Sequence, residues 1–220
     1  CEAAWQIAQA GIKVKLFEMK PVKFSEAHSS ENLAELVCSN SLKATNIENA
    51  SGLLKEEMRC LGGMVIGCAD ESAVPAGGAL AVDRDVFSKK ITAKINSHPN
   101  ITIVREEVNS ISELLSRSED CKCIIIATGP LTSKSLADEI SSLFGFKKLH
   151  FFDAAAPVIF EESIDSSKVF KAARYGKGDA DYINCPMKRE QYFEFYDALI
   201  NAECAEVKDF DSLDLYEGCM

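Results

Sequence analysis

The chain has no apolar run of the roughly 18 residues that a membrane-spanning helix needs, so the hydropathy pattern gives no transmembrane segment. It has no C-x-x-C pair, and its nine cysteines are odd in number and scattered. That argues against a disulfide framework or a zinc site and for reduced thiols in a cytoplasm. Its three histidines, His28, His98 and His150, are too far apart to suggest a metal. Basic residues are in deficit: 24 Lys and Arg against 34 Asp and Glu leave a net charge of −10. A phosphate-binding surface would therefore have to be local. Lys147 with Lys148, and Lys168, Lys171, Arg174 with Lys177, are two such clusters, though each also reads as a solvated face. No internal repeat appears, and no glycine-rich phosphate turn precedes the first helix.

What is present is a globular composition of 220 residues, 47% hydrophobic and 26% charged, enough to bury a core. The opening stretch 1–10 is helix-forming, Gly11 suits a helix C-terminus, Ile12–Phe17 is a strand, and Glu18 follows it. Helix, glycine, strand and acid in that order form the second half of a βαβ nucleotide-binding unit. The preceding strand and its G-x-G-x-x-G turn are not in the sequence, so the chain is expected to be truncated at its start.

Further along, 19–46 reads as irregular, Asn49–Leu61 as a helix, Ala69–Gly78 as a loop and Asp83–Ser97 as a helix. Ile101–Arg105 and Glu107–Ile111 read as strands, Asp120–Ala127 as a buried strand, and Ser133–Phe144 and Arg189–Ala202 as helices. After Leu149 short apolar stretches alternate with loops. The expected architecture is α/β: a truncated Rossmann-like, two-dinucleotide-binding flavoprotein fold. Residues 1–148 form the dinucleotide domain, and 149–220 begin an inserted α+β subdomain.

Several residues carry candidate chemistry. An acid at the carboxyl end of the second strand, as Glu18 is, accepts hydrogen bonds from ribose hydroxyls; it is equally a surface acid after a strand. The apolar run 124–127 followed by Thr128-Gly129 suits a backbone that approaches a cofactor closely, or a plain strand-to-loop turn. Val108, after the strand Ile101–Arg105, is placed to offer backbone groups to an adenine edge. Cys38 sits in ELVCSNS among donors that could stabilise a thiolate, or is a structural cysteine. Cys219 in EGC is similarly ambiguous. Asp83 is a good helix N-cap, and Arg84 beside it could meet a phosphate or an acidic ligand.

The segments CEAAWQIAQAGIKVKLFE (1–18), 19–22, ELVCSNSL (35–42), LLKEEMR (53–59), VPAGGALAVDR (74–84), IIATGPLTS (125–133), FDAAAPV (152–158), NCPM (184–187) and EGCM (217–220) span the whole chain. Together they resemble the methylenetetrahydrofolate–tRNA uracil-5-methyltransferases. The resemblance implies an enzyme that binds FAD, is reduced by NAD(P)H, and takes a one-carbon unit from 5,10-methylenetetrahydrofolate to make 5-methyluridine in the tRNA T-loop. It implies that Cys219 adds to uracil C6 and Cys38 accepts the C5 proton or sits on the flavin side, the assignment between the two being open. It places Glu18, Lys20, His28, Arg84, Val108, Thr128 and Gly129 at the cofactor. Members of that family continue well past the equivalent of Met220, so the piece alone is expected to be inactive and poorly stable. The competing readings are a wobble-uridine-modifying flavoprotein, a non-catalytic RNA-binding remnant, and a flavin oxidoreductase acting on a small molecule.

Overall fold

Helix α1 (Glu2–Gln9) buries Ala4 and Ala8, one turn apart on the same face, as the helical period requires. Gly11 just beyond it has φ +83°, a left-handed conformation that favours glycine. The chain thereby reverses into strand β1 (Val14–Glu18). The computed structural model describes residues 1–117, 123–129, 131–145, 159–173, 176 and 178–203.

Strand β1 pairs in parallel with a strand more than eighty residues later, Ile101–Arg105, in register from Val14 opposite Ile101 to Glu18 opposite Arg105. Parallel partners require a crossover. Here it contains three short strands and three helices. Two strands, β2 (Ser41–Ala44) and β3 (Ala73–Val74), flank β4 (Ala79–Val82) in an antiparallel sheet. The helices are α2 (Ala50–Cys60), α3 (Met64–Asp70) and α4 (Arg84–Ser97); the parallel partner is then β5 (Ile101–Arg105).

One hydrophobic core joins these elements. Phe87, Ile91 and Ile95 repeat every four residues along α4 and are at most 2% exposed. They share a cluster with Ala4 and Ala8 of α1, Met64, Ile66, Cys68 and Ala69 of α3, Leu80 and Val82 of β4, and Ile101. Val14, Leu16 and Ile103, on alternating positions of the parallel pair, pack against it. The helix starts are capped in two ways. Asp83 accepts the backbone N–H groups of Asp85 (3.0 Å) and Val86 (2.9 Å), as expected of an aspartate N-cap. Helix α3 starts at Gly63, which has no side chain to cap it. Glu2 of α1 accepts the N–H groups of Met64 (3.0 Å) and Val65 (2.6 Å) instead.

Lys55 of α2 is 7% exposed, and its ammonium donates to the carbonyls of Ala44 (2.9 Å) and Ser51 (2.7 Å). That contact ties α2 to β2. Burial, then the charges of Arg59 and Lys43, hold its pKa below the ordinary lysine value.

Four sequence expectations need correction. Residues 69–78 are not a loop: they hold the end of α3, strand β3 and the turn into β4. The irregular stretch 19–46 contains β2. Residues 107–111 are not a strand; helix α5 (Ile111–Ser116) begins there, and its N-cap Ser110 accepts the N–H of Glu113 (3.2 Å). Residues 123–129 form no strand and are not buried: Ile125 is 55% and Ile126 40% exposed. The first two errors share a cause, since strands of two to four residues are made by a distant partner and leave little periodicity. The last has a related one: a strand needs a ladder of hydrogen bonds, and 123–129 is in none of the described sheets.

Beyond α6 (Lys134–Phe144) lie a short 3-10 turn at Glu161–Ser163, the antiparallel pair β6 (Phe170–Ala172) and β7 (Tyr182–Asn184), and α7 (Arg189–Ile200). The expected domain boundary at 148/149 falls outside the described residues. The β6–β7 segment reaches back to the turn before β4. Asp181 accepts the N–H of Gly77 (2.7 Å), and the hydroxyl of Tyr182 donates to the carbonyl of Ala76 (2.8 Å). No described helix is long and apolar enough to cross a membrane.

Two substitutions test this packing by chemical denaturation. Ile91→Ala is expected to cost about 3 kcal/mol, within the range for truncating a fully buried aliphatic side chain. Gly77→Ala is expected to destabilise the chain and to weaken the β6–β7 contact. Its φ is +57°, and an added Cβ would lie 2.9 Å from Cε2 of Tyr182. Proteolysis in G77A should therefore accelerate preferentially within 160–185, whereas I91A, acting on the core, should not favour that segment over the rest of the chain.

Candidate dinucleotide groove

The carboxyl ends of parallel strands are where open α/β sheets receive ligands. At that end of β1 and β5 lies a groove of about 550 Å3. Three structures frame it: the start of α1, the segment 106–108 that follows β5, and the extended residues 124–128. The start of α1 brings unpaired N–H groups and the positive end of its dipole towards the groove.

Glu18, the last residue of β1, lines the groove. One of its carboxylate oxygens accepts the N–H of Lys20 (3.0 Å); the other has no hydrogen-bond partner among the described residues. The strand end thus presents an acceptor in the position from which an acid reaches ribose hydroxyls.

The loop after Glu18 is folded over the strand ends by an ion pair within it, Lys20–Glu35, and by one to the segment after β5, Lys23 Nζ lying 2.7 Å from Glu107 Oε1. Lys20 Nζ lies 3.1 Å from Glu35 Oε2, with side-chain exposures of 3% and 13%, and also donates to the carbonyl of Asn32 (2.8 Å). The other oxygen of Glu35 accepts the N–H groups of Ser29 (2.9 Å) and Ser30 (3.1 Å) and the hydroxyl of Ser29 (3.1 Å). Burial opposes the charge on Glu35, but the Ser29 N–H, the Lys20 ammonium and the Ser30 N–H outweigh it and hold the carboxyl below its usual range. Arg105, at the end of β5, donates to the carbonyls of Lys20 (2.9 Å) and Glu31 (3.3 Å). The loop is therefore fastened to both parallel strands.

Sequence reasoning named five residues that line this groove: Glu18, Lys20, His28, Val108 and Thr128. Lys20 lines it with its ammonium engaged internally. Gly129 follows Thr128 with φ +73° but is not in the lining. Arg84 and Cys38 lie together outside the groove wall, Arg84 Nη2 donating to the Cys38 carbonyl (3.2 Å) with Cys38 exposed. Cys219 lies outside the described residues. Sequence reasoning missed Glu35, which it quoted only as part of the motif around Cys38, and Arg105 and Ser25. No spacing rule marks Glu35 or Arg105, because their partners are brought to them by the loop; Ser25 meets His28 three residues on.

Acids dominate the groove. Glu2, Glu18, Glu35, Glu106 and Glu107 line it against Lys15 and Lys20. An anionic ligand there would rely on backbone N–H groups and the end of α1 for charge compensation, not on side-chain cations. Among the described residues no cluster of His, Cys, Asp or Glu could hold a metal ion.

A parallel strand pair, a core of helices against it and an acid-tipped groove at the strand ends make this a mixed α/β protein with a Rossmann-like arrangement. The chain belongs to the family described as glucose inhibited division protein A, whose model matches residues 1–220. It is 57% identical over 220 residues to the methylenetetrahydrofolate–tRNA-(uracil-5-)-methyltransferase TrmFO of Acetivibrio thermocellus, covering all of this chain and 49% of that protein. It is 53% identical to the proteins of the same name from Enterococcus faecalis and Bacillus pumilus, over 100% of this chain and 48% and 49% of theirs. The chain thus spans about half the length of the curated relatives it matches.

Glu35→Gln tests the clasp. It leaves the Lys20 ammonium buried without a counter-charge and is expected to cost about 2–3 kcal/mol at neutral pH. The folded pKa of Glu35 lies below the ordinary value of about 4.3. Its contribution is therefore complete above that value and is lost as pH falls through the lower, folded value. Urea unfolding of the two proteins should differ at neutral pH and converge on acidification below about pH 4.

Proposed function

We propose that the chain is the FAD-binding part of an enzyme that transfers a one-carbon unit from 5,10-methylenetetrahydrofolate to C5 of the T-loop uridine of tRNA, forming 5-methyluridine. The observation that carries this reading is 57% identity over the full 220 residues to a protein named for that transfer. NAD(P)H is the proposed reductant of the flavin and the cytoplasm the proposed location. The odd number and scattered placing of the cysteines, with no C-x-x-C pair, support that location.

The groove supports FAD as the cofactor. Glu18 is the proposed partner of a ribose, the start of α1 the proposed neighbour of the pyrophosphate, and Val108 the proposed contact of the adenine edge. Thr128, Gly129 and His28 complete the proposed contact set, with Lys20 holding the loop that carries His28. Arg84 acts in this reading through its contact with the Cys38 backbone. When bound, FAD supplies the electrons that convert a C5 methylene into a methyl group.

The remaining chemistry belongs to sulfur. Uracil C5 is a weak nucleophile. Addition of the Cys219 thiolate to C6 places negative charge on C5, which then attacks the methylene carbon as its bond to the folate nitrogen breaks. Cys38 takes the C5 proton as the remaining bond from the methylene carbon to the folate breaks, and reduction of the resulting exocyclic methylene, for which bound FAD would supply the hydride, expels the Cys219 sulfur from C6 and restores the ring double bond.

The test is tRNA methylation with folate-derived label and mapping of the modified base. Cys38→Ala and Cys219→Ala are each expected to lower methylation about a thousandfold or more while flavin content is retained. Label appearing at the anticodon instead of the T-loop would replace this reading with wobble-uridine modification. Undiminished methylation in either variant would remove that cysteine from the mechanism.

A further inference from the structure

The loop held by Lys20 and Glu35 carries a second, tighter arrangement that the methyl-transfer reading leaves unused. Ser25 and His28 close one turn: the His28 N–H donates to the Ser25 carbonyl (3.3 Å), and Ser25 Oγ lies 2.6 Å from His28 Nδ1. Both residues are half-buried, and the imidazole lines the groove. Its other nitrogen, Nε2, has no partner among the described residues.

The hydroxyl decides the tautomer. Ser25 Oγ already accepts the N–H of Ala27 (3.4 Å), and the only described acceptor within reach of its own proton is Nδ1. Donation of that proton to Nδ1 uses the hydroxyl as donor and acceptor at once and would put the ring proton on Nε2. We propose that Ser25 locks His28 in this form so that its Nε2–H is a fixed, uncharged donor to an acceptor oxygen of the dinucleotide in the groove. This deepens the FAD reading above and rests on it.

The surroundings favour a neutral ring. Burial, followed by the Lys20 ammonium, pushes the His28 pKa below its usual value; Glu35 and Glu18 push the other way and are outweighed. A neutral donor suits a groove rich in acids. An imidazolium would be drawn to Glu18 and Glu35 and compete with the ligand for them.

The chain has three histidines, so imidazole 15N spectra resolve the question on the whole 220-residue protein. His98 is a built-in reference, since its Nδ1 accepts the N–H of Asn100 (3.2 Å) away from the groove. At neutral pH His28 is expected to show the Nε2–H pattern in the native chain and mixed tautomers in Ser25→Ala, with His98 unchanged. Excess FAD is expected to move the His28 Nε2 resonance and not that of His98. His28→Phe should weaken FAD binding about three- to tenfold, the worth of one neutral hydrogen bond. Parallel titrations with ADP and with flavin mononucleotide assign the acceptor to one half of the dinucleotide. An Nδ1–H or doubly protonated His28 overturns the proposal. So does FAD binding that shifts the β1 amides near Glu18 but leaves His28 unmoved, which keeps the groove reading intact. If FAD perturbs neither, both readings fall.

Discussion

The candidate site depends on the clasp between Lys20 and Glu35. Without it, the seventeen-residue reach from β1 to Leu36 keeps its ties through Arg105, Lys23–Glu107 and Leu33–Thr92 but leaves the Lys20 ammonium buried without a counter-charge. With it, a nearly buried ammonium is satisfied by one carboxylate oxygen and the Asn32 carbonyl, while the second carboxylate oxygen gathers Ser29 and Ser30. An ion pair so buried contributes little net stability relative to an apolar pair of the same shape. Its effect here is on geometry: it fixes one closed form of the loop and so fixes the position of His28 at the groove.

The same logic of borrowed partners recurs through the fold. Helix α3 begins at a glycine and takes its cap from Glu2, sixty-odd residues earlier. Helix α5 receives a second set of acceptors from Glu139 of α6, which binds the N–H groups of Ile111 and Ser112 and the hydroxyls of Ser110 and Ser112. In each case a carboxylate meets the positive end of a helix dipole, and the tie crosses between elements. Glu2 thereby joins the helix that opens on the groove to the core beneath it.

Two parts of the proposed machinery are differently placed. Five of the seven proposed cofactor residues, Glu18, Lys20, His28, Val108 and Thr128, line one groove, whereas Cys38 is exposed on the chain leading into β2, beside Arg84 at the start of α4. The antiparallel β2–β4–β3 sheet sets that position: Val82 N–H donates to the Asn40 carbonyl (3.0 Å) and Asn40 Nδ2 to the Val82 carbonyl (3.1 Å). An accessible thiol suits a group that must meet a nucleobase arriving from solution. Helix α7 also faces outward, with Tyr192, Phe193, Phe195 and Tyr196 all exposed by 47% or more.

The sequence alone determined the elements whose signals are local. The stripe Phe87, Ile91, Ile95 behind an aspartate cap gave α4, the β-branched run 101–105 gave β5, and helix, glycine, strand and acid gave the α1–β1 unit with Glu18 at its tip. Those signals are dihedral preferences and hydrophobic periods within one segment, so they can be read without knowing the partner. Tertiary structure decided what depends on a distant group: the short strands β2 and β3, the non-strand course of 123–129, and the clasp of Glu35 on Lys20. The physical reason is that a hydrogen bond or ion pair between remote residues leaves no period in either segment, and only the folded chain brings donor and acceptor within 3 Å of each other.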